Sequence, residues 1–252
     1  MKQTVEMERW LAKRMAILER VKPELRPRNK ERQIKFRPTE KRRALAKSCK
    51  RAWDNAIQSG KIIVCGNTYK INDLNNPADE YLEIAVQISD KAGSNVLIAG
   101  SSAVQFYSAN SFLNTKLKLI TKDADKIKAT LPDLGFKTDA EENWYVENSI
   151  IQIKLSASEE TKLYQDVNKI ITPYGLVLIA KIEDLLLQRI VEGKDFLNTS
   201  EWAEYLLFTH YESVNMNYLK EQAALLGCLY NFTQLYKEVN FVRNNSTREL
   251  FL

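Results

Sequence analysis

The sequence predicts an α+β fold: a small mixed β-sheet with flanking helices, a C-terminal helical subdomain and an N-terminal basic helical extension. Three observations carry that reading. Asn95–Leu119 runs from an apolar strand through Gly100-Ser101 into a helix-like segment, then into a strand alternating leucine with lysine. Two further short strand patterns follow at Trp144–Val146 and Ile150–Leu155. From about Leu178 onward, apolar residues recur at helical spacing.

Composition sets the class. A chain of 252 residues with 44% hydrophobic and 27% charged residues can bury a substantial core and is ordinary for a globular protein. The most apolar run, GLVLIAKIEDLLL, is interrupted by Lys181, Glu183 and Asp184, which argues against a membrane span. The charged N-terminus has no apolar core of a secretory signal. Cys49, Cys65 and Cys228 lie far apart in no metal-ligand spacing, the pattern of reduced thiols in a cytoplasmic protein. A single histidine, His210, excludes a His-based metal centre and a Ser–His–Asp triad.

Charge is unevenly distributed. Between Arg20 and Arg51 there are 14 Lys+Arg against 3 Glu, a local charge of +11 in a chain of net charge +5. A basic arm on a mildly acidic body points to an anionic partner.

In chain order, Thr4 can cap a helix to about Arg20, and Pro23, Pro27 and Pro38 then discourage regular structure. A second helix spans 40–59. Its apolar stripe is Leu45, Cys49, Ala52, Trp53, Ala56 and Ile57, and Gly60 stands at the C′ position. Lys61–Cys65 and Thr68–Ile71 form a hairpin around Gly66-Asn67, read as a connector or as part of a small winged module. Helix 77–91 leads to the Asn95–Ala99 strand, and KDADKIKATLPDLGF reads as a helix capped by Asp123 or Asp125 and ending at Gly135. The expected organisation is 1–60 basic arm, 61–76 hairpin connector, 77–177 α/β core, 178–240 helical subdomain and 241–252 loose tail.

Residues 77–235 resemble the minimal nucleotidyltransferase superfamily, particularly bacterial stand-alone members of abortive-infection and toxin–antitoxin type. The resemblance rests on VLIAGSSAVQFY, a strand beginning Asn114-Thr115, a helix closing on Leu134-Gly135-Phe136, a strand pair, and IAKIEDLLLQRI. It implies a sheet of nucleotidyltransferase type and a Gly-Ser turn whose backbone approaches a nucleotide phosphate at Gly100, Ser101 and Ser102. It also implies three carboxylates that hold two divalent metals for an in-line displacement. Those carboxylates map onto Lys116, Lys118 and Lys154. An ammonium cannot ligate Mg²⁺, so no metal site and no cofactor is expected on this mapping. Two such groups roughly 6 Å apart repel by about 3 kcal/mol at an effective dielectric near 20, unless they are solvated or an anion lies between them. The three lysines therefore read as an anion pocket, or as a decayed site whose lysines point into water.

The arm supplies Arg26, Arg28, Lys30, Arg32, Lys35, Arg37, Lys41, Arg42, Arg43, Lys47, Lys50 and Arg51 as candidate phosphate contacts. A solvated helix face, or an arm that binds an acidic protein, are the other readings. The function expected is that of a catalytically degenerate nucleotidyltransferase-like protein that binds DNA or RNA, as a subunit of a nucleoprotein complex. An active nucleotidyltransferase using Mg²⁺ and NTP, of toxin or RNA-modifying type, and an antitoxin or scaffold module are the alternatives.

Overall fold

The computed structural model describes residues 40–74, 76–147, 149–156, 164, 166–192 and 199–248. The expected first helix, the proline-punctuated stretch and Arg26–Arg37 lie outside them. The described residues divide into two compact units, one within Ala52–Lys181 and one of those up to Arg51 together with those from Ile182 onward. Helix α1 (Glu40–Gln58) contributes to both.

In the first unit the strands are β1 (Ile62–Cys65), β2 (Thr68–Ile71), β3 (Leu97–Ile98), β4 (Lys116–Ile120) and β5 (Lys137–Thr138), followed by β6 (Trp144–Tyr145), β7 (Gln152–Ser156), β8 (Val167–Thr172) and β9 (Gly175–Ala180). They make one mixed sheet in the order β1-β2-β8-β9-β3-β4-β7-β6-β5. Helices α2 (Glu80–Ala92), α3 (Gly100–Tyr107) and α4 (Ala124–Thr130) complete the unit; α2 packs on β9 and α4, and α3 on β4. Alternation explains β4: Leu117 and Leu119 are buried at 1% and 0% exposure, while Lys116 is exposed.

An aromatic cluster anchors α1 and α3 to the hairpin. Trp53, Tyr69, Phe106 and Tyr107 meet at centroid distances of 5.2–6.3 Å, mostly edge to face. Behind it the Tyr107 hydroxyl donates to the Ala180 carbonyl at 3.0 Å and accepts from Asn168 Nδ2 at 2.9 Å. Each buried polar atom in this triad therefore has its partner.

Three boundaries differ from the expectation. Leu178–Ala180 is strand, not helix, and the helical segment begins at Ile182. GLVLIA is apolar without a period, so it suits a buried strand as well as a helix. The Thr172 hydroxyl turns β8 into β9 by accepting from the Tyr174 and Gly175 amides and donating to the Gly175 carbonyl. The hairpin is not a connector: β2 pairs in parallel with β8, so β1 and β2 are one end of the sheet. Ala52–Gln58 likewise belongs to the sheet unit rather than to an arm, although Ile57 of the expected stripe is 36% exposed.

The second unit holds α5 (Ile182–Glu192), α6 (Thr199–Thr209), α7 (Met216–Leu225) and α8 (Leu229–Arg248), with the first part of α1. Helix α8 continues to Arg248, through residues expected in a loose tail. Arg243 explains part of that continuation: its guanidinium lies 4.0 Å from the Tyr211 ring centre and donates to Glu212. Glu183 accepts the Asn215 amide at 3.0 Å, tying α5 to the start of α7, where Asn215 caps the helix through Tyr218 N–H. No helix among the described residues is long and apolar enough to cross a membrane.

Candidate anion site on the β4–β7 face

Strand β4 lies between β3 and β7, and its register fixes what faces what. Lys116 pairs with Gln152, Lys118 with Lys154, and Ile120 with Ser156, all in parallel. Register partners on neighbouring strands are about 4.8 Å apart and project to the same face. Lys116 shares that face by the two-residue alternation. The same ladder sends Leu117 and Ile153 to the opposite, buried face at 1% and 0% exposure.

Gly100 opens α3 beside these lysines. Its φ of +61° lies in the left-handed region that glycine adopts without penalty. A Cβ added there would come within 3.4 Å of Lys118 Cδ, so the lysine stem runs along the glycine. The structure thus brings Gly100, Lys116, Lys118 and Lys154 to one face of the sheet, with Ser101 half-buried next to them.

The side chain of Ser102 serves the sheet. It is 1% exposed, and its hydroxyl donates to the Lys116 carbonyl at 2.7 Å while accepting the Lys118 amide at 3.1 Å. The reason is the shortness of β3. Leu97 and Ile98 pair with Ile120 and Leu119, and Ala99 N–H reaches the Lys118 carbonyl at 3.2 Å; beyond that, β4 has no strand on this side among the described residues. Ser102 and Asn114, whose Nδ2 also donates to the Lys116 carbonyl, take over the ladder. Asp123 differs from its expected role. It occupies the N-cap position of α4 without a side-chain cap, and accepts from the Ser94 hydroxyl at 2.6 Å instead.

One acidic residue that the sequence did not single out enters the site. Asp139 holds the turn between β5 and β6, accepting from Asn143 through both its side chain and backbone amide and from the Glu141 amide. These bonds, that from the Asn143 side chain foremost, hold its carboxyl below the usual carboxylate range, and the Lys116 charge adds to the effect. Asp139 therefore partly offsets Lys116. Nothing in the residue pattern marked Asp139, because its approach depends on the β5–β6 hairpin folding back along β7.

Of the basic arm, only α1 is described. Arg43 is half-buried, with its guanidinium carbon 5.4 Å from the Phe241 ring centre, a packing position rather than a free phosphate contact. Arg51 is exposed and donates to the Lys47 carbonyl at 3.4 Å; Lys47 and Lys50 are half-buried. Among the described residues no group of three His, Cys, Asp or Glu side chains is placed to hold a metal ion. No protein-family model matches this chain, and no curated protein matches it at a significant level.

Proposed function

We propose that this chain is a catalytically degenerate protein of nucleotidyltransferase type that holds nucleic acid instead of transferring a nucleotide. The carrying observation is the register of Lys118 against Lys154 beside the left-handed Gly100. A strand–glycine–helix turn next to two parallel strands that face their charged residues the same way is the frame expected of such a site. Here the charges are ammonium groups, which attract a phosphate and cannot ligate Mg²⁺. The basic segment from Arg26 to Arg51 extends the positive surface, making the backbone of a polynucleotide a better match than a single nucleotide. A role as a subunit of a nucleoprotein complex follows from the same chemistry.

Filter binding of the full chain to single-stranded DNA, duplex DNA and RNA across a salt series tests this reading. Affinity is expected to fall linearly on a log–log plot against salt. The double substitution K118E/K154E should weaken binding and reduce the slope by about 1.8 for duplex DNA, two contacts at ~0.9 each. Glutamates at Arg26, Arg28, Arg32 and Arg37 should weaken it further. Binding indifferent to K118E/K154E would remove the β4–β7 face from the interface. Incorporation of label from NTP with Mg²⁺ or Mn²⁺ into tRNA would overturn the degenerate assignment.

A further inference from the structure

The register of the sheet places more than lysines on the β4–β7 face. Gln152 of β7 pairs with Lys116 of β4 on one side and with Tyr145 of β6 on the other, and Tyr145 pairs in turn with Lys137 of β5. These four residues make one row across four neighbouring strands, each about 4.8 Å from the next and all projecting to the same face. Lys118 and Lys154 make the next row, two residues along β4 and β7. Trp144 pairs with Ile153 and belongs to the opposite face.

Tyr145 and Gln152 are the unspent groups of this row. Both are half-buried, so the sheet fixes them while part of each side chain stays open to solvent. Trp53, Tyr69, Phe106 and Tyr107 spend their rings on one another. Among the described residues no ring contact and no hydrogen bond engages the Tyr145 side chain, and its hydroxyl is not sealed from solvent. The Gln152 amide, with two donors and an acceptor, likewise has no partner among the described residues.

Charge on the face is mixed. Glu147 bonds the Lys137 ammonium and holds it above its usual range, first through that bond and then through its charge, with Tyr145 adding a smaller share. Asp139 offsets Lys116. Lys154 is exposed and has no ion pair among the described residues. With two of the lysines partly neutralised, phosphate attraction alone gives this face a limited grip. The remaining capacity is an aromatic ring and an amide, and only an unpaired base can use them, because a duplex keeps its bases stacked on one another. Lys154 and Tyr145 are diagonal neighbours, roughly 7–8 Å apart and within reach of one ligand. We infer, resting on the proposed nucleic-acid role of this face, that it takes a single strand: a base stacks on Tyr145 and meets Gln152 with its edge, while the adjoining phosphate lies on Lys154.

The test uses the full chain with short oligo(dT) and oligo(U), an abasic strand of the same length, and a duplex of the same length, each across a salt series. The intact single strands are expected to bind about tenfold more tightly than the abasic strand, the worth of one base–aromatic stack, and more tightly than the duplex. Y145A should lose about that tenfold on the intact strands and nothing on the abasic one, with the salt slope unchanged, because stacking releases no counterions. Y145F should keep the affinity, and Y145L, which leaves an apolar side chain in the sheet, should lose it as Y145A does. K154E should lower the single-strand slope by about 0.7. The assignment is overturned if the abasic strand or the duplex binds the parent chain as well as the intact strands, a comparison that needs no variant to fold. It is also overturned if Y145L keeps full affinity, or if Y145F loses as much as Y145L, since the hydroxyl and not the ring would then hold the ligand. Loss in K154E without loss in Y145L would leave the face a phosphate site and strike out the stacked base alone. Absence of any polynucleotide binding, or a K154E chain that binds with unchanged affinity and slope, would strike out the nucleic-acid role of the face together with it.

Discussion

Replacing Ser102 by alanine separates the two roles a serine after Gly100-Ser101 can have. In the structure the Ser102 hydroxyl is the lateral partner of β4 where β3 has ended, taking the Lys118 amide at 3.1 Å and giving to the Lys116 carbonyl at 2.7 Å. Alanine leaves the Lys116 carbonyl its bond from Asn114 but strips the Lys118 amide of its partner. The hydroxyl is 1% exposed with its residue, and water has little access to replace it. Orphaning such an N–H costs about 1–3 kcal/mol; taking ~2 kcal/mol, Tm should fall by roughly 4–8 °C for a unit of this size. Calorimetry or a thermal-shift scan measures it, with Ser101→Ala as the control on the neighbouring, half-buried serine. Oligonucleotide affinity per folded molecule should survive in Ser102→Ala and weaken in Ser101→Ala. A Ser102→Ala protein that melts normally but has lost oligonucleotide binding would refute the reasoning, because the hydroxyl would then serve the ligand and not the strand.

Further outcomes follow from the same packing. Gly175→Ala should cost about 2–4 kcal/mol, since φ is +153° and the new Cβ would lie 2.9 Å from Val86 Cγ1; an unchanged Tm would contradict this. Trp53→Ala removes the edge-to-face partner of Phe106 at 6.0 Å and should cost roughly 3–5 kcal/mol in a urea titration, with a smaller loss for Trp53→Phe. Asp139 should make the β5–β6 turn acid-sensitive. Its carboxyl is depressed in the folded state, so its contribution is present above the ordinary carboxylate pKa and disappears as pH falls through the depressed value. Amide exchange at Glu141 and Asn143 should accelerate over that acid window. In Asp139→Asn this pH dependence should vanish, and its persistence would assign the titration to another group.

Much of the sheet unit is legible in the sequence because its signals are local. Gly60 ends α1 and Gly135 ends the turn after α4, each with positive φ, and Gly66-Asn67 turns β1 into β2. The alternation of Leu117 and Leu119 with lysines places the lysines on one face before any coordinates are seen. What was not legible depends on partners distant in sequence. GLVLIA became a strand only because β3 and β8 flank it. The hairpin became sheet because β8, some hundred residues on, pairs with β2. Asp79, Tyr81 and Asn110 meet through a left-handed pair at Ala109-Asn110 that no glycine announces. The part the Ser102 hydroxyl plays in the sheet is hidden for the same reason: nothing local tells that β3 is two residues long.

The β4–β7 face also shows how a frame and its chemistry can part. The backbone ladder of β4 and β7, with Ser102, Asn114 and the apolar residues between, sets where Lys116, Lys118 and Lys154 stand. A carboxylate or an ammonium at these positions would be delivered to the same place by the same ladder, and Gly100 would stand beside either. The ladder itself therefore places no demand on the sign of the charge. Carboxylates at this spacing would draw a cation, and two lysines in register draw a phosphate or repel each other into solvent. Substituting the exposed Lys154 consequently tests function with little cost to stability, while Ser102, Leu117 and Ile153 test stability.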